Sequence, residues 1–153
     1  MKKIFEDYFT EFQADMVSIC LEYVEDRADK IYIYCAYEAN SIYGDFFYMI
    51  SGKIVERDQL NSNLGCTDLL YDTSDDRQLA VLRILTEDME KIAKLCTEYE
   101  RSVPTEMKLI YDVKSNALEA NYNYENVITG TEFISEHIFD KWFQEVKVNK
   151  NNS

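Results

Sequence analysis

Ile4, Phe5, Tyr8, Phe9, Phe12, Met16, Ile19, Cys20 and Tyr23 recur at steps of three and four, with Glu6, Asp7, Glu11, Asp15 and Glu22 falling between them. That spacing predicts an amphipathic helix from Lys3 to about Glu25 with one apolar stripe. From Ile31 the period shortens to two. Ile31, Ile33, Cys35 and Tyr37 share one face of a predicted strand, and Tyr32, Tyr34, Ala36 and Glu38 the other. Asn40 to Gly44 reads as a loop, Asp45 to Ile50 as a second strand and Lys53 to Leu60 as a third. Ser51-Gly52 suits a tight hairpin turn between them, because glycine tolerates positive φ.

Asn61 to Ser74 is the longest irregular stretch and feeds a second helix. Ser74 is placed to cap it, and Asp75 and Asp76 complement the positive end of its dipole. Its predicted buried stripe is Leu79, Leu82, Leu85, Met89, Ile92, Cys96 and Tyr99, with Glu87–Lys91 and Glu90–Lys94 pairs on the wet face. Pro104 blocks continuation of the helix. Thr105 to Val113 and Leu118 to Tyr124 then alternate apolar with polar and predict a hairpin whose turn places Asn116 in the left-handed region. After a loop from Glu125 to about Ile134, Ser135 is placed to cap a last helix carrying Ile138, Phe139, Trp142, Phe143 and Val146.

The order α-β-β-β-α-β-β-α, joined by hairpins, predicts an α+β fold with an antiparallel sheet of about five strands. Three helices with one stripe each most simply cover mainly one sheet face, leaving the other open or partly open. Tyr32, Tyr34, Glu38, Asp112, Glu119, Asn121 and Asn123 fall on that second face. The chain reads as one domain over residues 1–148 with a polar tail, 149–153.

Charge narrows the function. The chain carries 29 Asp+Glu against 16 Lys+Arg, net −13, yet 46% of its residues are hydrophobic, enough to bury a core. The acidity therefore belongs to a folded surface, which repels nucleic acid and anionic membrane and attracts basic partners. No apolar run is long enough to span a membrane, and acids interrupt the start of the chain too early for a signal peptide, so the expected location is cytoplasmic. Cys20, Cys35, Cys66 and Cys96 are widely spaced, without a C-x-x-C pair, and read as buried free thiols.

Catalytic signals are weak. His137 is the only histidine and reads as a surface or half-buried helix position, with no serine or cysteine in a nucleophile-elbow context. Four glycines in no phosphate-binding arrangement argue against nucleotide binding. Adjacent carboxylates are expected by chance at this composition, and Asp68, Asp72 and Asp75 have the wrong spacing for a calcium loop. The expectation is no enzyme, no cofactor and no metal.

The segments Pro104 to Val113, Ala120-Asn121-Tyr122-Asn123-Tyr124 and Phe139-Asp140-Lys141-Trp142-Phe143 resemble the C-terminal half of the YezG-type antitoxin (immunity protein) family. Lys30-Ile31-Tyr32-Ile33-Tyr34, after an acidic helix, resembles that family's first strand. The resemblance implies an intracellular immunity protein of Gram-positive bacteria. Its partner would be a cognate toxin domain, often a nuclease carried on a type VII-secreted LXG or related polymorphic protein. The family has no catalytic residues to carry over.

The acidic body agrees in kind, since a nucleic-acid-cutting toxin is basic around its groove. An acidic adaptor or chaperone-like interaction module is the alternative, followed by a small-ligand-binding enzyme. Candidate partner-contact residues are the loop acids Asp68, Asp72, Asp75 and Asp76 and the second-face residues Tyr32, Tyr34, Glu119, Asn121 and Asn123.

Overall fold

Both faces of the central strand are buried, and this decides the architecture. The computed structural model describes residues 3–62, 64–65 and 67–151. Its elements are α1 (Phe5–Tyr23), β1 (Lys30–Glu38), β2 (Ser41–Ile50), β3 (Lys53–Glu56), α2 (Asp75–Glu98), β4 (Glu106–Asp112), β5 (Ala117–Asn123) and α3 (Ser135–Asn151). The strands make a five-stranded antiparallel sheet in the order β3-β2-β1-β4-β5. This is the α+β fold and element order that the periodicities predict.

Two turns form as the sequence predicts. Ser51 and Gly52 both take positive φ, 50° and 78°, the mirror-image turn that matches the twist of a two-residue hairpin. Asn116 adopts φ 55° at the β4–β5 turn. The stretch from Asn40 to Gly44 is not a loop. Ala39 and Asn40, at φ 52° and 60°, make the whole turn, and Ser41–Gly44 already pairs with β1. β3 is shorter than predicted because the chain turns after Glu56, whose carbonyl accepts from the Gln59 N–H at 3.0 Å.

α1 and α2 pack on one another and together cover one sheet face. Their core takes Met16, Cys20 and Tyr23 from α1, Leu85, Met89 and Ile92 from α2, and Ile31, Ile33, Phe46, Tyr48, Met107 and Leu109 from the sheet. Leu85, Met89, Ile92 and Cys96 of α2 are buried as predicted, but the ends of the stripe differ: Leu79 and Tyr99 are 57% and 43% exposed, and Val81 is buried instead. Gly44 explains how closely α2 lies on β2, since a Cβ there would stand 3.1 Å from the Leu85 Cβ.

The third helix crosses to the other face. Phe139, Trp142 and Phe143 of α3 pack on Tyr32, Tyr34, Ala36, Phe47 and Ile54. Phe47 meets Trp142 edge-on at 5.1 Å between ring centroids and Phe143 at 5.0 Å, geometry in which ring edge and ring face attract. α3 lies over β2 and β3. The outward faces of β4 and β5 therefore stay partly open, where Glu119 and Asn121 are exposed.

The helix ends are closed by residues other than the predicted caps. Ser74 occupies the N-cap position of α2 but makes no side-chain capping bond. At α3 the Ile134 N–H donates to His137 Nδ1 at 3.1 Å, one turn ahead, instead of the chain relying on Ser135. Asp7 reaches back to the Ile4 N–H in the same manner at α1. His137 is thus a helix-closing residue. The Glu87–Lys91 and Glu90–Lys94 pairs do not close; Lys91 turns instead toward Asp88, at 3.9 Å.

Candidate functional site

The acids predicted for partner contact stand on a loop that is firmly tied down. Tyr71 is buried, and Asn61 brackets it, with the Asn61 amide donating to the Tyr71 carbonyl at 3.0 Å and its oxygen accepting from the Tyr71 N–H at 2.8 Å. Arg27 lies over the Tyr71 ring at 3.9 Å and donates to the Leu69 carbonyl at 2.8 Å. Asp68 accepts from the Gly65 N–H at 2.7 Å, and Asp72 from the Ser74 N–H at 3.1 Å. That last bond, from the Ser74 backbone, holds the Asp72 carboxyl below its ordinary range. Asp72, Asp75 and Asp76 come together as exposed carboxylates around the first turn of α2.

Leu69 and Leu70, 78% and 76% exposed, project between Asp68 and Asp72. Reasoning from sequence passed them over, although two adjacent leucines inside a polar run are a signal that could have found them. Cys66 and Asn63 lie outside the described residues. Cys20, Cys35 and Cys96 are buried free thiols, and burial raises the pKa of each.

The second-face candidates divide. Tyr32 and Tyr34 are not exposed contact residues; α3 covers them, leaving 4% and 1% of their surfaces accessible. The Tyr34 hydroxyl donates to Glu106 Oε2 at 2.6 Å, and the Asn123 amide donates to Glu106 Oε1 at 3.1 Å. Asn123 is therefore committed to holding a buried carboxylate. Glu119 and Asn121 remain free, beside Lys108, whose ammonium lies 5.5 Å from the centre of the Trp142 ring.

Glu38, another second-face residue, is buried as a clamp. Its carboxylate accepts from the N–H groups of Val127 (2.6 Å), Ile128 (3.0 Å) and Thr129, and from the Thr129 hydroxyl. Burial pushes its pKa up, but these bonds outweigh burial and hold it below the ordinary value.

A cleft of about 220 Å³ opens where β2 and β3 meet α3. Asp45, Glu56, Asp58, Glu136 and Asp140 line it around one cation, Arg57, with Phe47, Phe139 and Phe143 as apolar walls. Asp45, at its inner end, pairs with Arg57 and accepts from the Tyr43 hydroxyl and the Phe46 N–H, both at 2.8 Å. Burial raises the Asp45 pKa while Arg57 opposes the rise. The outer carboxylates give this mouth a surplus of negative charge fit for a lysine or arginine side chain. Nothing in the spacing of these five acids along the chain marks them as neighbours.

The most perturbed carboxylate lies elsewhere. Asp88 of α2 is 1% exposed at the α1–α2 interface, and its Oδ2 has no hydrogen-bond partner. Burial, then the neighbouring Asp15 carboxyl, raise its pKa far above the ordinary range, opposed by Lys91. It lines none of the larger clefts, so this carboxyl belongs to packing. A folded pKa above the unfolded one contributes stability at pH below about 4 that is lost as pH rises through neutrality. Asp88→Asn should therefore stabilise the protein at pH 8 by about 1–3 kcal/mol and flatten the slope of stability against pH. Urea midpoints measured across that range check this; a variant less stable than wild type at pH 8 would contradict it.

Among the described residues no group of three or more His, Cys, Asp or Glu is arranged to hold a metal ion, and no helix is long and apolar enough to cross a membrane. Comparison with known proteins finds no family model that matches the chain and no curated protein that matches it.

Proposed function

We propose that this chain is an immunity-type protein that binds a basic bacterial toxin domain, of the nuclease kind, and neutralises it as a stoichiometric inhibitor by occupying its substrate groove. It would act in the cytoplasm of the cell it protects. The observation that carries this reading is a net charge of −13 on a body that, among the described residues, buries only the acids Glu38, Asp45, Asp88 and Glu106 and turns most of the others outward. Glu38, Asp45 and Glu106 each hold backbone or side-chain donors. The Asp72–Asp76 cluster, the outer acids of the cleft beside α3 (Glu56, Asp58, Glu136 and Asp140) and Glu119 stay available to a partner. Complementary charge of this kind raises association rates by orders of magnitude at low salt, which suits an inhibitor that must reach its target before damage is done.

Co-expression with the toxin domain encoded beside this gene tests the reading: growth should be restored and a stable complex recovered. Toxicity unrelieved by the protein, with no complex, would rule it out. Within that complex, Asp72→Lys, Asp75→Lys and Asp76→Lys together should slow association about tenfold at low salt and leave the circular dichroism spectrum unchanged. An unaltered association rate would exclude this cluster from the encounter surface.

A further inference from the structure

We propose that the free edge of β5 receives an extended segment of the partner by strand addition, and that this segment alternates apolar with basic residues. The inference rests on the binding role proposed above and names where and how the partner docks.

The backbone fixes which groups are available. The Tyr37 N–H donates to the Thr105 carbonyl and the Val113 N–H to the Asp29 carbonyl, both at 3.0 Å, at the two ends of the β1–β4 ladder. Antiparallel ladders alternate, so Met107, Leu109 and Tyr111 turn their backbone groups to β1, and Glu106, Lys108, Ile110 and Asp112 turn theirs to β5. Their partners on β5 are Asn123, Asn121, Glu119 and Ala117. Leu118, Ala120 and Tyr122 then direct N–H and C=O away from the sheet, and no described residue bonds them.

This edge lacks the usual protection. β5 is seven residues long with no proline and no lysine. The opposite edge, β3, has four residues and is overlaid by α3. Beside β5, between it and α1, lie two apolar clefts. One, about 440 Å³, is lined by Phe5, Phe9, Pro104, Tyr122 and Tyr124; the other, about 330 Å³, by Ala14, Val17, Leu21 and Leu118. They stand at the two ends of the strand, so alternate side chains of an added strand would enter them.

The two sides of β5 dictate the chemistry of that strand. Leu118 and Tyr122 face α1, whereas Glu119 and Asn121 face the open half of the other side. An incoming strand placing apolar residues toward α1 would set its other residues opposite Glu119, where Lys or Arg is favoured on a body of charge −13. A second copy of this chain is the poorer occupant, because it would bring two bodies of charge −13 together.

The test uses the full chain and two short synthetic peptides, one alternating valine with lysine and the other valine with glutamate. We expect the lysine peptide to bind and to slow amide exchange at Leu118, Ala120 and Tyr122, and the glutamate peptide not to bind. Ala120→Pro removes an outward N–H without touching the β4 ladder and should weaken the lysine peptide at least about tenfold. Glu119→Lys, which leaves the backbone alone, should reverse the preference between the peptides. Binding that leaves those three amides unprotected, or equal affinity in Ala120→Pro, overturns the inference. So does protection that grows with protein concentration when no peptide is present, which would give the edge to a second copy. A toxin domain that binds wild type and Ala120→Pro equally removes strand addition and leaves the inhibitor role standing. One that binds neither removes the role.

Discussion

Replacing Trp142 with alanine should cost about 3–5 kcal/mol, the range for truncating a large buried aromatic. A domain of this size is stable by roughly 5–15 kcal/mol, so the loss is a large share of the whole. Trp142 meets Phe47 at 5.1 Å, Tyr32 at 5.9 Å and Tyr34 at 6.2 Å, and the aliphatic stem of Lys108 brings its ammonium over the ring. Few other large side chains hold α3 to the sheet, so alanine would leave a void that Phe139 and Phe143 cannot fill. Denaturant unfolding followed by circular dichroism measures the cost. Amide exchange should quicken in α3 before it quickens in α1. A loss below about 1 kcal/mol would mean that α3 does not depend on this cluster.

Glu38→Ala should destabilise the protein by about 2–4 kcal/mol and expose the loop between β5 and α3 to protease. The carboxylate satisfies three successive backbone N–H groups, Val127, Ile128 and Thr129, which alanine would leave without a partner. The effect has a pH signature. A carboxyl whose folded pKa is held low contributes stability above about pH 4 that is lost as pH falls through the folded value. Wild type should therefore lose stability on acidification more steeply than Glu38→Ala. Equal acid sensitivity, with an intact loop in limited proteolysis, would show that the clamp does not hold.

Local chemistry was legible in the sequence; the choice of partners across space was not. The period of two on either side of Asn116, and Gly52 after Ser51, specify hairpins through backbone preferences that act within a few residues. The side taken by α3 was open to misreading because tyrosine has an apolar body and a polar tip. Placing all three helices on one sheet face leaves Tyr32 and Tyr34 on the open one, whereas their apolar bodies draw α3 over them. A strand that is aromatic or aliphatic on both faces, as β1 is, signals a central strand covered twice.

Leu79 was misphased because it opens the helix, before the stripe is constrained by neighbours. Of the candidate contact residues, the acids of the 68–76 stretch stand exposed, and so do Glu119 and Asn121. The acidic cleft was invisible, because Asp45, Glu56 and Glu136 meet only through the sheet register and the crossing of α3. Glu38 and Thr129 are likewise 91 residues apart.

The tyrosines that fill both layers carry a further consequence. Burial raises the phenol pKa of Tyr32, Tyr34, Tyr43, Tyr48 and Tyr71, and takes that of Tyr23 to about 12. Ionising Tyr23, Tyr32, Tyr34, Tyr48 or Tyr71 in place would force an anion into the interior, so in strong base the native form competes against a chain whose phenols are free to deprotonate. The aromatic interior that cements the sheet to its helices thus also works against the native form in strong base.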